Sequence, residues 1–457
     1  MPVELTERAL RDALALAGEW DGNDAPAAQA ALEWMGWEGE GSLWLRHYDV
    51  QLFVWYTLPR KFLVSLEHKR EAAAALARTL DRLGGRAATY AEVCRSPETD
   101  ELLCAWEAED PAASQRLRDL LDRSGIEPPD TDLLAWGHVM GLEEARVREQ
   151  VAIALEEATE DGRLAPGSPG FRRRQAEVAS AALLEPWSED GDRSCLDAVH
   201  AERLERWLER GRTRGSAERR AILAPVADVI ATHGPPIDPE AARAALAPTQ
   251  WLLERADDGI VLTQTGALNR ALVREAAERW PAWWHAELFG PPNREEEVTP
   301  LHELHGLLRR LRLVRRTGKR IVVTGRGRAL RGDPAALHEA LARELLAGES
   351  FRAACAELAV ALMLDGVAAD YGDGLAERIQ PAIAAEGWQS DGQSPGVRDV
   401  GWSIAEFLRP AEAIGILSRG ESGSRLSRDP IVLTDPGRSA LIAALRARAL
   451  APATGPY

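Results

Sequence analysis

The sequence lacks the motifs by which catalytic and cofactor sites are usually recognised. It contains no catalytic Cys/His arrangement. The Gly-Lys pair at 318–319 resembles the end of a phosphate-binding loop, but Leu313 stands where that loop requires glycine and Arg320 where it requires Ser or Thr. His302 and His305 are three residues apart, whereas a zinc-protease helix needs His-Glu-x-x-His. We therefore predict a protein that is not an enzyme and has no catalytic residue, no cofactor and no metal site.

Cysteines and long apolar runs are also scarce. Four cysteines in 457 residues, with no Cys-x-x-Cys pair, argue against a disulfide scaffold. The longest apolar stretch, at 356–366, is about half of the roughly 20 residues that a membrane helix needs. The N-terminus carries acids where a signal peptide would carry lysines or arginines. We expect a cytoplasmic protein without a membrane partner.

Charge is distributed unevenly along the chain. The formal net charge is -17 at pH 7, and residues 1–166 hold 32 Asp/Glu against 17 Lys/Arg. Such an acidic region repels a phosphate backbone at long range. Residues 304–332, in contrast, contain ten Lys/Arg and no Asp or Glu. This cationic segment is therefore the candidate binding surface of an otherwise acidic protein.

Helix-forming residues dominate the composition, which predicts a mainly α protein with small β-hairpins (α+β) and several domains. We expect an acidic, mostly helical N-terminal domain at 1–165, with a short β-hairpin near 43–58 because aromatic and β-branched residues cluster there. The Pro, Gly and Ser residues within 163–174 predict the boundary after it. A helical middle domain at 171–290 is expected to include a first winged-helix-like unit. A basic winged-helix-like unit at 291–347 and a C-terminal one at 348–450 would follow.

These units are predicted from an internal echo. The pattern Ile-Val-x-Thr-x-x-Gly begins at Ile260, Ile321 and Ile431, and a helical pattern follows each copy. The Thr can cap the turn leaving a short strand, and the Gly permits a tight strand-to-helix exit. Before the second and third copies, "LRLVRR" and "AIGILSRG" supply partner strands, and a helix precedes each of them. Helix, strand, wing loop, strand and helix make up the C-terminal half of a winged-helix domain; the first copy has no clear partner strand.

The same segments carry a family resemblance. From about residue 217 to 450 the chain resembles the C-terminal region of a group of actinobacterial multidomain proteins of unknown function. In that group "LTQTG", "ELHGLLRRLRLVRR…IVVTGRG" and a final "LT…GR…AALRARA" occur in the same order as here. Some members carry a plasmid-ORF-like N-terminal domain, whose Trp-Arg-Arg core is not evident in this chain. The resemblance covers about half of the chain and implies tandem winged-helix-like units, but no catalytic residue.

The basic unit has one face for the core and another for a ligand. Leu301, Leu304, Leu308 and Leu311 fall at helical spacing and are expected to face the core. The candidate nucleic-acid or partner-binding residues form a helix stripe at i, i+4 and i+7, followed by the hairpin and the next turn: His305, Arg309, Arg312, Arg315, Arg316, Lys319, Arg320, Arg326 and Arg328.

Two functions are consistent with this surface. In the first, the protein is a non-enzymatic, DNA-associated and regulatory one, whose helix enters the major groove while the wing contacts the backbone. In the second, it is an interaction or scaffold protein whose basic unit docks on an acidic protein surface, either that of a partner or that of its own N-terminal third. Charge segregation along the chain is compatible with both.

Overall fold

The computed structural model describes residues 3–17, 24–188, 191–210, 217–232, 234–369, 371, 374–389, 392–419 and 431–453. The chain divides into two compact units, Met1–Val199 and His200–Tyr457. Helices account for most of the chain, and the sheets are few, small and antiparallel. The predicted fold class, mainly α with small β elements and more than one domain, is confirmed. Across the described ranges no helix combines the length and the apolar character that a membrane crossing requires.

The first unit is a helical array with one two-stranded sheet. Its elements are β1 (Val3–Leu5), α1 (Glu7–Ala17), α2 (Asp24–Trp34), β2 (Leu43–Leu45), α3 (His47–Leu52), a π-helical turn (Phe53–Thr57), α4 (Leu58–Lys61), α5 (Leu66–Leu83), α6 (Gly85–Arg95), α7 (Pro97–Glu107), α8 (Ala113–Ser124), α9 (Leu142–Glu160), α10 (Phe171–Leu183) and α11 (Cys195–Leu208), which contains the division point. Strands β1 and β2 are antiparallel, with Val3 opposite Leu45.

The β-hairpin predicted near 43–58 is wrong beyond residue 45. Strand β2 pairs with the N-terminal strand β1, and the chain from His47 to Lys61 is helical. Carboxylates satisfy the first N–H groups of this helix: Asp49 accepts from Arg46 N–H at 3.1 Å, and Glu156 accepts from His47 N–H at 2.9 Å. Because these caps remove the cost of the helix N-terminus, they outweigh the strand preference of the aromatic residues. Glu156 is over a hundred residues away in sequence, so no local pattern indicates it.

The second unit contains the internal echo. Its elements after α11 are α12 (Ala217–Ala231), α13 (Pro239–Ala245), α14 (Ala247–Asp257), β3 (Ile260–Val261), α15 (Arg270–Arg279), a 3-10 turn (Pro281–Trp283), α16 (Ala286–Phe289), a second 3-10 turn (Glu295–Glu297), α17 (Thr299–Arg310), β4 (Val314–Thr317), β5 (Arg320–Val323), α18 (Gly325–Arg331), α19 (Pro334–Leu345), α20 (Phe351–Leu364), α21 (Gly374–Ala385), α22 (Val397–Ala413), β6 (Leu417–Arg419), β7 (Ile431–Leu433) and α23 (Asp435–Ala449).

Two arrays within this unit have the same element order when the four-residue helix α16 of the first is left aside. Helix α14, strand β3, helices α15 and α17, strands β4 and β5, and helix α18 form the first array. Helix α20, a single bridge residue Ala369, helices α21 and α22, strands β6 and β7, and helix α23 form the second. Ile321 pairs with Ile260 in the first array, and Ile431 pairs with Ala369 in the second. The echoed isoleucines thus occupy the same place in both sheets.

This pairing corrects the separate unit predicted around the first echo. Strand β3 belongs to the three-stranded sheet β3-β5-β4, which runs across the predicted division at residue 290. A two-residue strand cannot be stable alone and must pair with a neighbour, and its partner here lies 61 residues downstream. The unequal spacing of the three echoes follows, since two of them are strands of one sheet. A boundary near residue 347 stays a prediction.

The turns from strand to helix in the two arrays contain the same hydrogen bond. Thr324 Oγ1 accepts from Gly327 N–H at 3.0 Å, and Thr434 Oγ1 accepts from Gly437 N–H at 3.0 Å. A Cβ at Gly327 would collide with the carbonyl oxygen of Leu313, and a Cβ at Gly437 would collide with that of Ile416. The predicted roles of threonine as cap and glycine as close-approach residue are confirmed for these two copies.

A buried carboxylate joins four helices of the second unit. Glu357 of α20 is fully buried; Arg219 Nη2 of α12 lies 3.0 Å from Oε1, and Arg448 Nε of α23 lies 3.1 Å from Oε2. Trp207 of α11 also donates its indole N–H to Glu357. Burial alone would raise the pKa of Glu357, but the two guanidinium groups hold it well below its usual range. A charge at this depth is stable only with such partners.

We predict that Gly327→Ala lowers the free energy of unfolding by about 1–3 kcal/mol, because the added methyl must displace the Leu313 backbone or Val323. Gly325→Ala, two residues earlier in α18 with nothing within 4 Å of its Cβ, is the matched control and should change stability by about 0.5 kcal/mol or less. Urea unfolding followed by tryptophan fluorescence measures both. Equal losses in the two variants would contradict the close-approach explanation.

Candidate functional site

Helix α17 is the centre of the candidate site, and most of its surface is buried. Its predicted core leucines, Leu301, Leu304, Leu308 and Leu311, are all buried, which confirms that face. The helix packs against α22, the corresponding helix of the second array. Its exposed side chains are confined to His302, Arg309 and Arg310.

This packing corrects the expectation that α17 lies in a major groove. A recognition helix must present three or four side chains along one open face to reach base edges. Here α22 packs against the helix, and the exposed side chains of α17 are near its two ends. The accessible part of the site is therefore the C-terminal end of α17 together with the β4–β5 hairpin.

His305 does not belong to the exposed surface. Its side chain is 5% exposed, and its Nδ1 lies 2.7 Å from Glu295 Oε1. The predicted stripe placed His305 beside Arg309 on the helix, but of these two side chains only that of Arg309 is exposed. Its Nε2 is buried and has no hydrogen-bond partner among the described residues.

Glu295 organises the inner wall of the site. Its carboxylate accepts from Leu268 N–H at 2.6 Å and pairs with His305 at 2.7 Å and with His302 Nδ1 at 3.5 Å. Burial would raise the pKa of Glu295, but the hydrogen bonds and the nearby imidazoles outweigh burial and lower it. The two histidines of "HELH" thus converge on one carboxylate. The sequence pass missed Glu295, because a run of three glutamates before a helix gives no sign of which one turns inward.

Arg312 lies beyond the end of α17, which corrects the predicted stripe at i+7. Helix α17 ends at Arg310, and Arg312 has a φ of +55°, in the left-handed region. Leu313 N–H bonds to the Leu308 carbonyl at 2.9 Å, and Arg312 N–H bonds to the Arg309 carbonyl at 3.0 Å. This is a Schellman termination, which favours glycine at the left-handed position.

The corresponding helix end of the second array can be compared directly with that of α17. Its helix α22 ends in the same way, with Ile416 N–H bonded to the Ala411 carbonyl at 3.0 Å, and its left-handed residue is Gly415 with a φ of +69°. The first array places Arg312 at that position instead. A non-glycine residue there costs on the order of 1 kcal/mol. The first array therefore keeps a positive charge where glycine would be more stable.

The β4–β5 hairpin presents four further cations. Its two strands are joined by a two-residue turn, Gly318-Lys319, with Gly318 at a φ of +60° as in a type II′ turn. Register places Arg315 and Arg320 on the outer face of the sheet and Arg316 on the face of buried Ile321. These three arginines and Lys319 are exposed.

Helix α18 contributes one open cation and two paired ones. Arg326 is exposed, whereas Arg328 Nε lies 3.2 Å from Asp257 Oδ1 and Arg331 pairs with the other oxygen of the same carboxylate. These hydrogen bonds, that of Arg331 first, lower the pKa of Asp257 and keep it charged. Arg328, a predicted binding residue, is therefore partly neutralised by an aspartate at the end of α14.

The remaining candidates form a continuous cationic set, which we call the basic surface: Arg309, Arg312, Arg315, Arg316, Lys319, Arg320 and Arg326. All seven are exposed. Among the described residues of the second unit, no Asp or Glu forms an ion pair with any of them. Unpaired charges on a short, rigid segment are suited to an anionic partner, because binding does not have to break internal ion pairs.

We predict that Glu295→Gln lowers the free energy of unfolding by about 1–3 kcal/mol at pH 7, since His305 loses a charged partner inside the protein. Because the pKa of Glu295 is depressed in the folded state, its contribution is complete above the ordinary glutamate pKa of about 4.3 and disappears as pH falls through the folded value. The difference between the variant and the parent should therefore shrink below about pH 4. Urea unfolding at several pH values measures it, with exposed Glu296→Gln as control.

Comparison with known proteins bears on the first array only. Residues 243–336 match a family model described as "Y4jL N-terminal domain". The match covers about a fifth of the chain and lies in its C-terminal half, spanning α14 to α18 and therefore β3, α17 and the whole β4–β5 hairpin. No curated protein and no solved structure matches the chain. Over these residues the chain is similar to that family, and the limits of the match include the three-stranded sheet as one piece.

Proposed function

We propose that this protein is a non-enzymatic, cytoplasmic DNA-associated protein that holds duplex DNA through the basic surface. The observation that carries the proposal is the set of seven exposed cations without an ion-pair partner in the described part of their unit. They lie on consecutive short elements of one array, in a chain whose formal net charge is -17. Like charges this close together repel one another, and an anionic partner relieves that repulsion.

We further propose that the two arrays are winged-helix-like. The order helix, strand, helix, helix, strand, strand supports this, as does the two-residue turn that takes the place of a wing in the first array. The arrays differ in charge, since only the first carries the basic surface. The first array would then bind and the second would support it through the packing of α22 on α17.

The proposed mode is contact with the phosphate backbone rather than with bases. Helix α17 is too deeply buried to read a groove, while arginines on a hairpin and at a helix end can bind phosphate oxygens bidentately. Such contacts carry no sequence information and release counterions. Binding should therefore be almost independent of sequence and steeply dependent on salt.

The test is fluorescence anisotropy of the full-length protein with labelled duplexes of two unrelated sequences. We expect equal affinities for the two duplexes and a linear fall of log affinity with log salt. Arg315→Gln and Arg320→Gln should each reduce the slope by about 0.9, the value for one lost phosphate contact. Arg243→Gln, an exposed arginine of α13 outside the basic surface, is the matched control and should leave the slope unchanged.

Two results would overturn the proposal. One is the absence of binding at about 50 mM salt, where electrostatic contacts to DNA are strong. The other is a strong preference for one sequence, because that requires base readout from a helix that the structure buries.

Arg312 provides a second, more specific prediction. Arg312→Gly should raise the free energy of unfolding by up to about 1 kcal/mol, because glycine adopts the left-handed conformation without strain. The same change should weaken duplex binding and lower the salt slope, since one cation of the basic surface is lost. Urea unfolding and anisotropy on the same sample measure the two effects. A variant that is more stable and binds equally well would show that Arg312 does not contact the ligand.

A second candidate function is docking on an acidic protein segment, and one observation favours it. On the outer face of the sheet, Val261, 48% exposed, lies opposite Arg320, and half-buried Val322 lies opposite Arg315. Mixed apolar and basic side chains fit a peptide that carries both acids and apolar residues. Poly-glutamate in place of DNA separates the candidates: stronger binding of the polypeptide than of duplex at equal salt would favour docking.

A further inference from the structure

A small cavity lies where the end of α17, the hairpin and the turn after β3 meet. Its volume is about 100 Å³, and its polar lining comes from His305, Arg309, Arg316 and the Thr265-Gly266 turn, closed below by Leu262 and Ile321. Arg309 follows His305 by four residues on α17, so the two side chains share one face of the helix. Arg316 reaches the cavity from β4, on the face that it shares with Ile321.

The cavity is lined by polar groups whose hydrogen-bonding capacity is not fully used. His305 is 95% buried; its Nδ1 is held by Glu295 at 2.7 Å, and its Nε2 has no partner among the described residues. An unsatisfied buried nitrogen costs stability unless something binds it. Arg316 uses its Nε for the Gly318 carbonyl at 2.9 Å. Its Nη1 lies 3.6 Å from the position that a Cβ on Gly266 would take, so a larger residue there would crowd the guanidinium.

We propose that His305, Arg309 and Arg316 form a pocket for one tetrahedral oxyanion, a phosphate or sulfate group. The same chemistry has two sources, a free ion or a phosphodiester of bound DNA, and only the second of these rests on the proposed function. In the DNA complex the pocket seats one backbone phosphate and so fixes the position of the duplex on the basic surface.

Size and charge select this class of ligand. A volume of about 100 Å³ is well below the roughly 300 Å³ of the smallest usual small-molecule sites, so the cavity admits a single small group. Two guanidinium groups and an imidazole match an oxyanion, which accepts several charge-assisted hydrogen bonds at once. A cation is disfavoured by the two arginines, and an apolar group would leave Nε2 of His305 unsatisfied.

The buried carboxylate of Glu295 holds the imidazole of the pocket in place. Glu295 accepts from His305 Nδ1 and therefore orients the ring, as carboxylates do behind metal-bound histidines. When the ring is protonated, Nε2 becomes a donor for the oxyanion; when it is neutral with Nδ1 protonated, Nε2 is an acceptor and opposes it. The other charged groups that face the ring are His302 through Glu295, and Arg309 and Arg316 through the cavity.

The test uses the full-length protein and inorganic sulfate at one fixed pH. Imidazole nitrogen NMR follows sulfate binding, with the His305 signals assigned by their loss in His305→Gln. We expect sulfate to shift the His305 signals in the parent protein. His302, which does not line the cavity, provides the control: His302→Gln should bind sulfate as the parent does.

Two adjacent arginines provide the matched pair. Arg316→Gln should raise the Kd for sulfate about tenfold or more, the effect of one lost charge-assisted hydrogen bond, whereas Arg315→Gln, on the opposite face of the sheet, should change it less than about twofold. Both substitutions are at exposed positions, so we expect both variants to fold like the parent. Equal losses in the two, or unshifted His305 signals, would overturn the pocket.

Duplex binding by the same variants distinguishes failure of the pocket from failure of the proposed function. Sulfate binding with the expected Arg316 effect but no duplex binding would retain the pocket and reject DNA as its source. Duplex binding that Arg316→Gln and Arg315→Gln weaken equally, without an effect of sulfate on His305, would retain the function and reject the pocket.

Discussion

The buried carboxylate of Glu357 is the interaction on which the second unit depends. Because it can stay charged inside the protein only with Arg219 and Arg448 in place, it fixes α12 and α23 against α20, and Trp207 adds α11. Helix α22 packs on α20, and α17 packs on α22. The position of the basic surface therefore depends, through α20, α22 and α17, on one buried ion-paired cluster.

The packing that makes the second unit stable also decides what its surface can do. With α17 packed against α22, positive charge is left at a helix end, on a hairpin and at the start of the next helix. Asp257 partly neutralises this charge where it pairs with Arg328. At the end of α17 the charge is kept in spite of backbone strain, because Arg312 stands where the second array has glycine. Selection for stability alone would favour a paired arginine at position 328 and a glycine at position 312.

Sequence patterns predicted the local features and missed those that depend on distant partners. Helical leucine spacing located the buried face of α17, and the Thr-x-x-Gly echo located both strand-to-helix exits, because each depends on residues a few positions apart. The helix at His47 and the turn of His305 toward Glu295 depend on carboxylates that approach from elsewhere in the chain. Likewise, the pairing of Ile260 with Ile321 cannot be read from a two-residue strand. Of the nine predicted site residues, the hairpin arginines are exposed and His305 is buried, and the burial of His305 depends on Glu295, a partner that its helix does not indicate.

The two-residue turn at Gly318 has a kinetic consequence. A long wing loop must become ordered when its ligand binds, and the lost conformational entropy slows association and weakens the complex. Here the cations at the tip are already in place, since β4 and β5 are hydrogen-bonded up to the turn. Association should then be limited by diffusion and steered by long-range attraction, so salt would act mainly on the rate at which complexes form and much less on their lifetime.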